Sequence, residues 1–296
     1  MRWLFISLWL SVAGAWAGPL SVQVRFGSDT YLVYEAIPAT VSIHNFSGRE
    51  IQLDENNPES SLSFVITTEN GQMVRSLGQP RLGTAVIIPA GQTMAQSVDL
   101  LPLYELRERG SYKVQALLRT PVGTVESAPV RFTIINGRQV WTQVVGLPVA
   151  EGSPEQYRTY TLVARRGAME DSLYVSVRDD AHTMVYSLVP LGAFLSTQEP
   201  QARVDRGGNL HVLFQNGPRS FGYVEVDPIA RPIARAAYSD FTSRPALTEA
   251  EGAISVTGGE QTYPRPERVL SDEELNPPPP PKPKPKRHWW WPFGPK

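Results

Sequence analysis

The sequence predicts an all-β protein: two sheet-built domains in series, an export leader before them and a proline-rich tail after them. Three observations predict it. Short runs of alternating polar and apolar side chains recur from Ser21 to Thr257, separated by turn residues. In the second half, three similar segments follow one another 37 and 44 residues apart, from Leu173 to Leu210 to Ile254. After Tyr263 the alternation stops and prolines take over.

The leader comes first. Arg2 precedes an apolar run from Trp3 to Val12, and small residues lead to Ala15-Trp16-Ala17. A basic residue, a short apolar core and a small-x-small site make a secretory signal peptide over residues 1–17, cut after Ala17. The run is too short to cross about 30 Å of hydrocarbon. The expected location is therefore periplasmic, cell-surface or secreted. The chain has no cysteine, which excludes disulfides, thiolate metal sites and thiol nucleophiles. An exported chain without disulfides depends on its core, and roughly 280 mature residues suffice for two domains. That combination suits a bacterial envelope.

Residues 18–138 form the first predicted domain. Ser21 to Phe26, Ala39 to His44 and Leu62 to Thr67 alternate as half-buried strands do, and Glu69-Asn70-Gly71-Gln72 is a turn with Asn-Gly at its centre. An apolar run from Thr84 to Ile88 stops at Pro89, and further strands fall at Ser97–Leu100, Ser111–Leu118 and Ala128–Ile135. Strands this short, with turns this frequent, indicate a β-sandwich. Within it, Glu105-Leu106-Arg107-Glu108-Arg109-Gly110-Ser111-Tyr112 resembles the corner before the sixth strand of immunoglobulin-like domains. The resemblance implies that Gly110 and Tyr112 are structural, the tyrosine hydroxyl bonding back to the corner, with Val114 where antibody domains carry cysteine. It speaks to architecture and not to activity.

Residues 139–263 form the second domain, with strands at Tyr157–Arg165, Ser172–Val177, Thr183–Val189, Pro200–Asp205, Asn209–Phe214, Ser220–Val226, Pro245–Glu249 and Ala253–Thr257. Glycine turns, Arg206-Gly207-Gly208 and Glu251-Gly252, precede two of the repeated segments. The stretch from Pro200 to Leu213 resembles the inner strands of bacterial β-propeller blades, which implies antiparallel blade-like repeats. Two to three units do not close a ring. The expectation is a compact sheet-rich domain against the first, with self-association of incomplete blades as the alternative.

The tail spans residues 264–296. Ser271 to Leu275 allows one helical turn, which the prolines end. Pro277 to Lys286 should run as polyproline II for about 30 Å, leaving the tail without tertiary structure. Residues 276–296 carry five basic side chains and no acid, whereas residues 1–275 hold 23 basic and 29 acidic ones, a net −6. Lys282, Lys284, Lys286, Arg287, Trp289, Trp290, Trp291 and Phe293 are the candidate contact residues. Tryptophans favour a headgroup zone and cations favour anionic lipid, while a rigid arm ending in aromatics also suits a partner's groove.

Catalytic patterns are missing: no His-Glu-x-x-His, no Gly-x-Ser-x-Gly and no phosphate loop. The expectation is accordingly no cofactor, no metal and no catalytic residue. His44 and His211 are expected to pack or hydrogen-bond. Arg178-Asp179-Asp180-Ala181-His182 reads as a polar hairpin turn, Asp54 to Glu59 as a solvated acidic loop without calcium-loop spacing, and Asp205-Arg206-Gly207-Gly208-Asn209 as a structural hairpin. Export and an acidic body argue against nucleic acid. The expected function is a non-enzymatic binding or scaffold protein of the envelope, its tail touching an anionic membrane surface or an envelope protein. The rival is a carbohydrate-active enzyme or carbohydrate-binding protein, which requires at least two of Asp179, Asp180, Asp205 and Glu225 in one pocket. A protease-inhibitor or chaperone-like sandwich is the third class.

Overall fold

The computed structural model describes residues 19–54, 60–81, 86–121, 123–148, 155–167, 170–179 and 185–263. Among these the chain forms strands and turns and no helix, in several antiparallel sheets, none of them closed into a barrel.

The first module is a sandwich. Strands β1 (Leu20–Phe26), β3 (Pro38–Asn45) and β7 (Thr93–Asp99) pair antiparallel in the order β1-β3-β7. Facing them are β2 (Thr30–Leu32), β10 (Val130–Ile135), β8 (Gly110–Thr120) and β5 (Leu62–Thr68), in that order, with β9 (Gly123–Glu126) folded back on β8. A small ribbon joins β4 (Ile51–Leu53) to β6 (Val86–Ile88). Period-two alternation sends Ala39, Val41 and Ile43 of β3 and Val114, Ala116 and Leu118 of β8 into one core with Phe132 and Ile134. The Tyr112 hydroxyl donates to the Glu108 carbonyl at 2.7 Å, and its ring stacks on Phe132. Gly110, at φ +153°, starts the strand after that corner. A second tyrosine manages the edge of β5: the Tyr104 hydroxyl donates to the Phe64 carbonyl and accepts from the Phe64 N–H, at 2.9 and 3.0 Å.

Only Asn136 and Gly137 separate β10 from β11 (Arg138–Leu147). With β12 (Gln156–Arg165), β13 (Asp171–Asp179) and β14 (Val185–Phe194), β11 makes a four-stranded meander. A second meander follows, β15 (Gln201–Val204), β16 (Leu210–Gly217), β17 (Ser220–Val226) and β18 (Pro232–Ser239), extended by β21 (Glu260–Tyr263). The two bury Tyr160, Leu162, Leu173, Val175 and Val177 against Leu210, Val212, Phe214, Val224 and Val226. The hairpin of β19 (Ala246–Ala250) and β20 (Ala253–Thr257) then covers the far face of the second meander, where Leu247 meets Leu213 and Phe221. The 37-residue spacing from Leu173 to Leu210 thus joins strands of two stacked sheets that share one core, rather than strands of a single sheet. The outward face of the hairpin is small and polar, with Thr248 Oγ1 paired to Ser255.

Candidate functional site

The seam between the modules holds the most concentrated polar chemistry. After β2 the chain turns sharply, the Glu35 N–H donating to the Leu32 carbonyl, and Tyr34 takes φ +69°. A bulky residue in the left-handed region is strained by about 1–3 kcal/mol, and this turn aims Glu35 at the second module. Its carboxylate accepts the Leu32 N–H at 2.7 Å, the Tyr174 hydroxyl at 2.7 Å and the Arg165 guanidinium at 3.0 Å. Arg165 also donates to the Thr30 carbonyl at 2.7 Å and lies 5.4 Å over the Tyr174 ring. Side-chain exposures of 15% for Arg165 and 13% for Glu35 make this a largely desolvated pair. Burial first, and then the Glu35 carboxylate, push the Tyr174 hydroxyl well above its usual range. At Gly137, in the linker, an added Cβ would lie 2.2 Å from Val163 Cγ1 of the second module and 3.0 Å from Leu32 Cδ2 of the first.

Beside this lock a cleft of about 250 Å³ opens between the modules. Tyr34 and Asn136 line it from the first; Gln139, Thr161, Ser176 and Arg178 line it from the second. Thr161 and Ser176 are register partners, as are Thr159 and Arg178, so all four side chains share the sheet face opposite the core residues Tyr160, Leu162, Val175 and Val177. No hydrogen bond or ion pair engages the exposed Arg178 guanidinium among the described residues. The buried Thr159 Oγ1 likewise has no partner there.

A second cluster lies on the face of the second meander that the β19–β20 hairpin covers. His211 pairs in register with Arg203 and Glu225. The imidazole is buried, with Nδ1 2.7 Å from the Tyr223 hydroxyl and Nε2 3.2 Å from Asp205 Oδ2. Asp205 Oδ1 accepts the Asn209 N–H and Oδ2 the Asn209 side-chain amide, closing the hairpin turn. Burial works to raise the Asp205 pKa, but the bonds from His211 and Asn209 outweigh it and hold the carboxyl below its usual range. Burial, with Glu225 nearby, raises the Tyr223 hydroxyl. One ligand atom each from Asp205, His211 and Glu225 falls within 4.8 Å of the others, which brings together candidate metal ligands. A cation entering would have to replace the His211–Asp205 hydrogen bond, so the cluster as folded is a brace for the β15–β16 turn.

Of the four acids named for an enzyme, the structure brings Asp205 and Glu225 together; Asp179 ends β13 in the other sheet, and Asp180 and His182 lie outside the described residues. His44 bonds Thr93 Oγ1 at 2.6 Å and packs on Phe46 at 3.9 Å between ring centroids. Residues 55–59 of the acidic loop lie outside the described residues. So does the tail, with Lys282, Lys284, Lys286, Arg287, Trp289, Trp290, Trp291 and Phe293. Sequence reasoning missed Glu35, Arg165 and Tyr174 as functional residues: they stand 130 to 139 positions apart and form no local motif.

No protein-family model matches the chain, and no curated protein matches it. Among solved structures it is similar to the sporulation control protein Spo0M from Bacillus subtilis, with 12% identity and a TM-score of 0.28 over 61% of this chain and 92% of that one. It is also similar to the C-terminal domain of the AgI/II polypeptide BspA from Streptococcus agalactiae, with 10% identity and a TM-score of 0.25 over 81% and 98%. At these scores neither neighbour bears on function.

Proposed function

We propose that the protein is an exported, non-enzymatic binding or scaffold protein of the bacterial envelope. In this reading the first module is immunoglobulin-like, the second a stack of blade-like sheets, and the tail joins the pair to an anionic membrane surface or an envelope protein. The observation that carries the reading is the seam. The desolvated Glu35–Arg165–Tyr174 lock and the glycine-tight contact at Gly137 fasten two β modules into one body. Such a body suits presenting surfaces at a fixed distance, with a cleft between them. The enzyme alternative draws on Asp205 and Glu225, but both Asp205 oxygens are spent on Asn209 and His211. That arrangement favours a structural brace over a pair of free carboxylates.

The test compares the mature chain with one lacking Arg287–Lys296, using vesicles with and without anionic lipid and envelope extract. Loss of sedimentation or pull-down without change in thermal unfolding is the expected result. Unaltered fractionation of the shortened chain refutes the role of the tail.

A further inference from the structure

We propose that the seam cleft is a binding site for a carboxylate-bearing sugar residue. The inference rests on the reading of the chain as a binding protein and names a ligand class for it. Its starting point is charge. Among the described residues one guanidinium, Arg178, borders the cleft, and no carboxylate lines it. An unpaired guanidinium beside a concavity favours a planar anion, whose two oxygens match its fork of N–H donors. The adjoining Arg165 does not compete, because Glu35, Tyr174 and the Thr30 carbonyl hold it in the lock.

Leu32, Val33, Ile135, Val163 and Leu188 make the rest of the lining partly apolar, and its polar residues choose among anions. Asn136, Gln139, Thr161 and Ser176 supply neutral groups that both donate and accept, the complement of a ring bearing several hydroxyls. Tyr34 contributes an aromatic wall on the opposite module, held there by its left-handed backbone. A volume of about 250 Å³ admits one ring and not a larger ligand. A hexuronic acid residue, as a free sugar or as the end of an acidic glycan, combines the size, the carboxylate and the hydroxyls.

The experiment is calorimetric titration of the mature full-length chain with galacturonate, glucuronate, a galacturonate trisaccharide, galactose and acetate. Uronates are expected to bind at least tenfold more tightly than galactose, and acetate to give no saturable signal. Tighter binding of the trisaccharide than of the free acids assigns the site to a glycan end; equal binding assigns it to the free sugar. Arg178→Ala should weaken uronate binding at least tenfold with unchanged thermal unfolding, and Arg178→Lys should retain part of the affinity. Equal affinity for galactose and galacturonate overturns the proposal, as does an Arg178→Ala chain that binds like the parent, or failure of every uronate. If uronates fail while envelope pull-down persists, the cleft assignment falls and the binding function stands. Loss of both overturns the functional reading itself.

Discussion

Replacing Arg165 by methionine tests the seam most directly. Methionine keeps most of the aliphatic bulk and removes the charge, leaving the Glu35 carboxylate largely buried without its cation. An exposed pair would be worth up to about 1 kcal/mol, whereas stranding one partner of a buried pair costs about 3–5 kcal/mol. Glu35 keeps two donors, the Leu32 N–H and the Tyr174 hydroxyl, so the low end applies, about 3 kcal/mol. Glu35→Gln should cost about 2 kcal/mol, because the amide still accepts hydrogen bonds but no longer balances Arg165. The double variant should lie near 3 kcal/mol, which makes the coupling about 2 kcal/mol. The assay is urea unfolding of the chain shortened to residues 18–263. Trp141 is then its one tryptophan, packed on the core of the second module, and its fluorescence reports that module while far-UV circular dichroism reports both. Coincident midpoints are expected in the parent and separated ones in Arg165→Met. A loss below about 0.5 kcal/mol, or strictly additive single variants, would refute the reasoning.

Other perturbations address the remaining contacts. Gly137→Ala forces a methyl group into Val163 and the Ala164 carbonyl, and should cost about 1–3 kcal/mol in the same unfolding assay. Tyr160→Phe removes the hydroxyl that donates to the Gly208 carbonyl at 2.6 Å in a fully buried setting, so a loss of about 1–2 kcal/mol is expected by urea midpoint. Asp205 has a folded pKa below its usual 3.8, so the stability it lends is complete above that value and drains away as pH falls through the folded one. Melting temperature measured from pH 6 to pH 2 should therefore fall less steeply below about pH 4 in Asp205→Asn than in the parent, from a lower starting point. Tyr112→Phe should leave the Glu108 carbonyl short of a donor and lower the unfolding free energy by about 1 kcal/mol, without altering the cleft.

The alternation of side chains by itself determined much of the β core. Strands β1 and β3 fall where Ser21–Phe26 and Ala39–His44 alternate, because a period of two states which side chains enter a core. Turn chemistry was legible as well, at Asn70-Gly71 and at Asp205 to Asn209, since those side chains and that glycine act within a few residues. Strand β18 was not legible. Pro-Ile-Ala-Arg-Ala-Ala-Tyr-Ser has no apolar alternation and is rich in alanine, and it becomes a strand only because β17 offers it a ladder. Nor does any local pattern announce that the short β2 runs parallel to β10 and brings Glu35 to Arg165 and Tyr174. Periodicity encodes which face of a strand is buried; it does not encode which distant element does the burying. The lock and the cleft beside it depend on contacts across more than a hundred residues, and only the tertiary fold decides those.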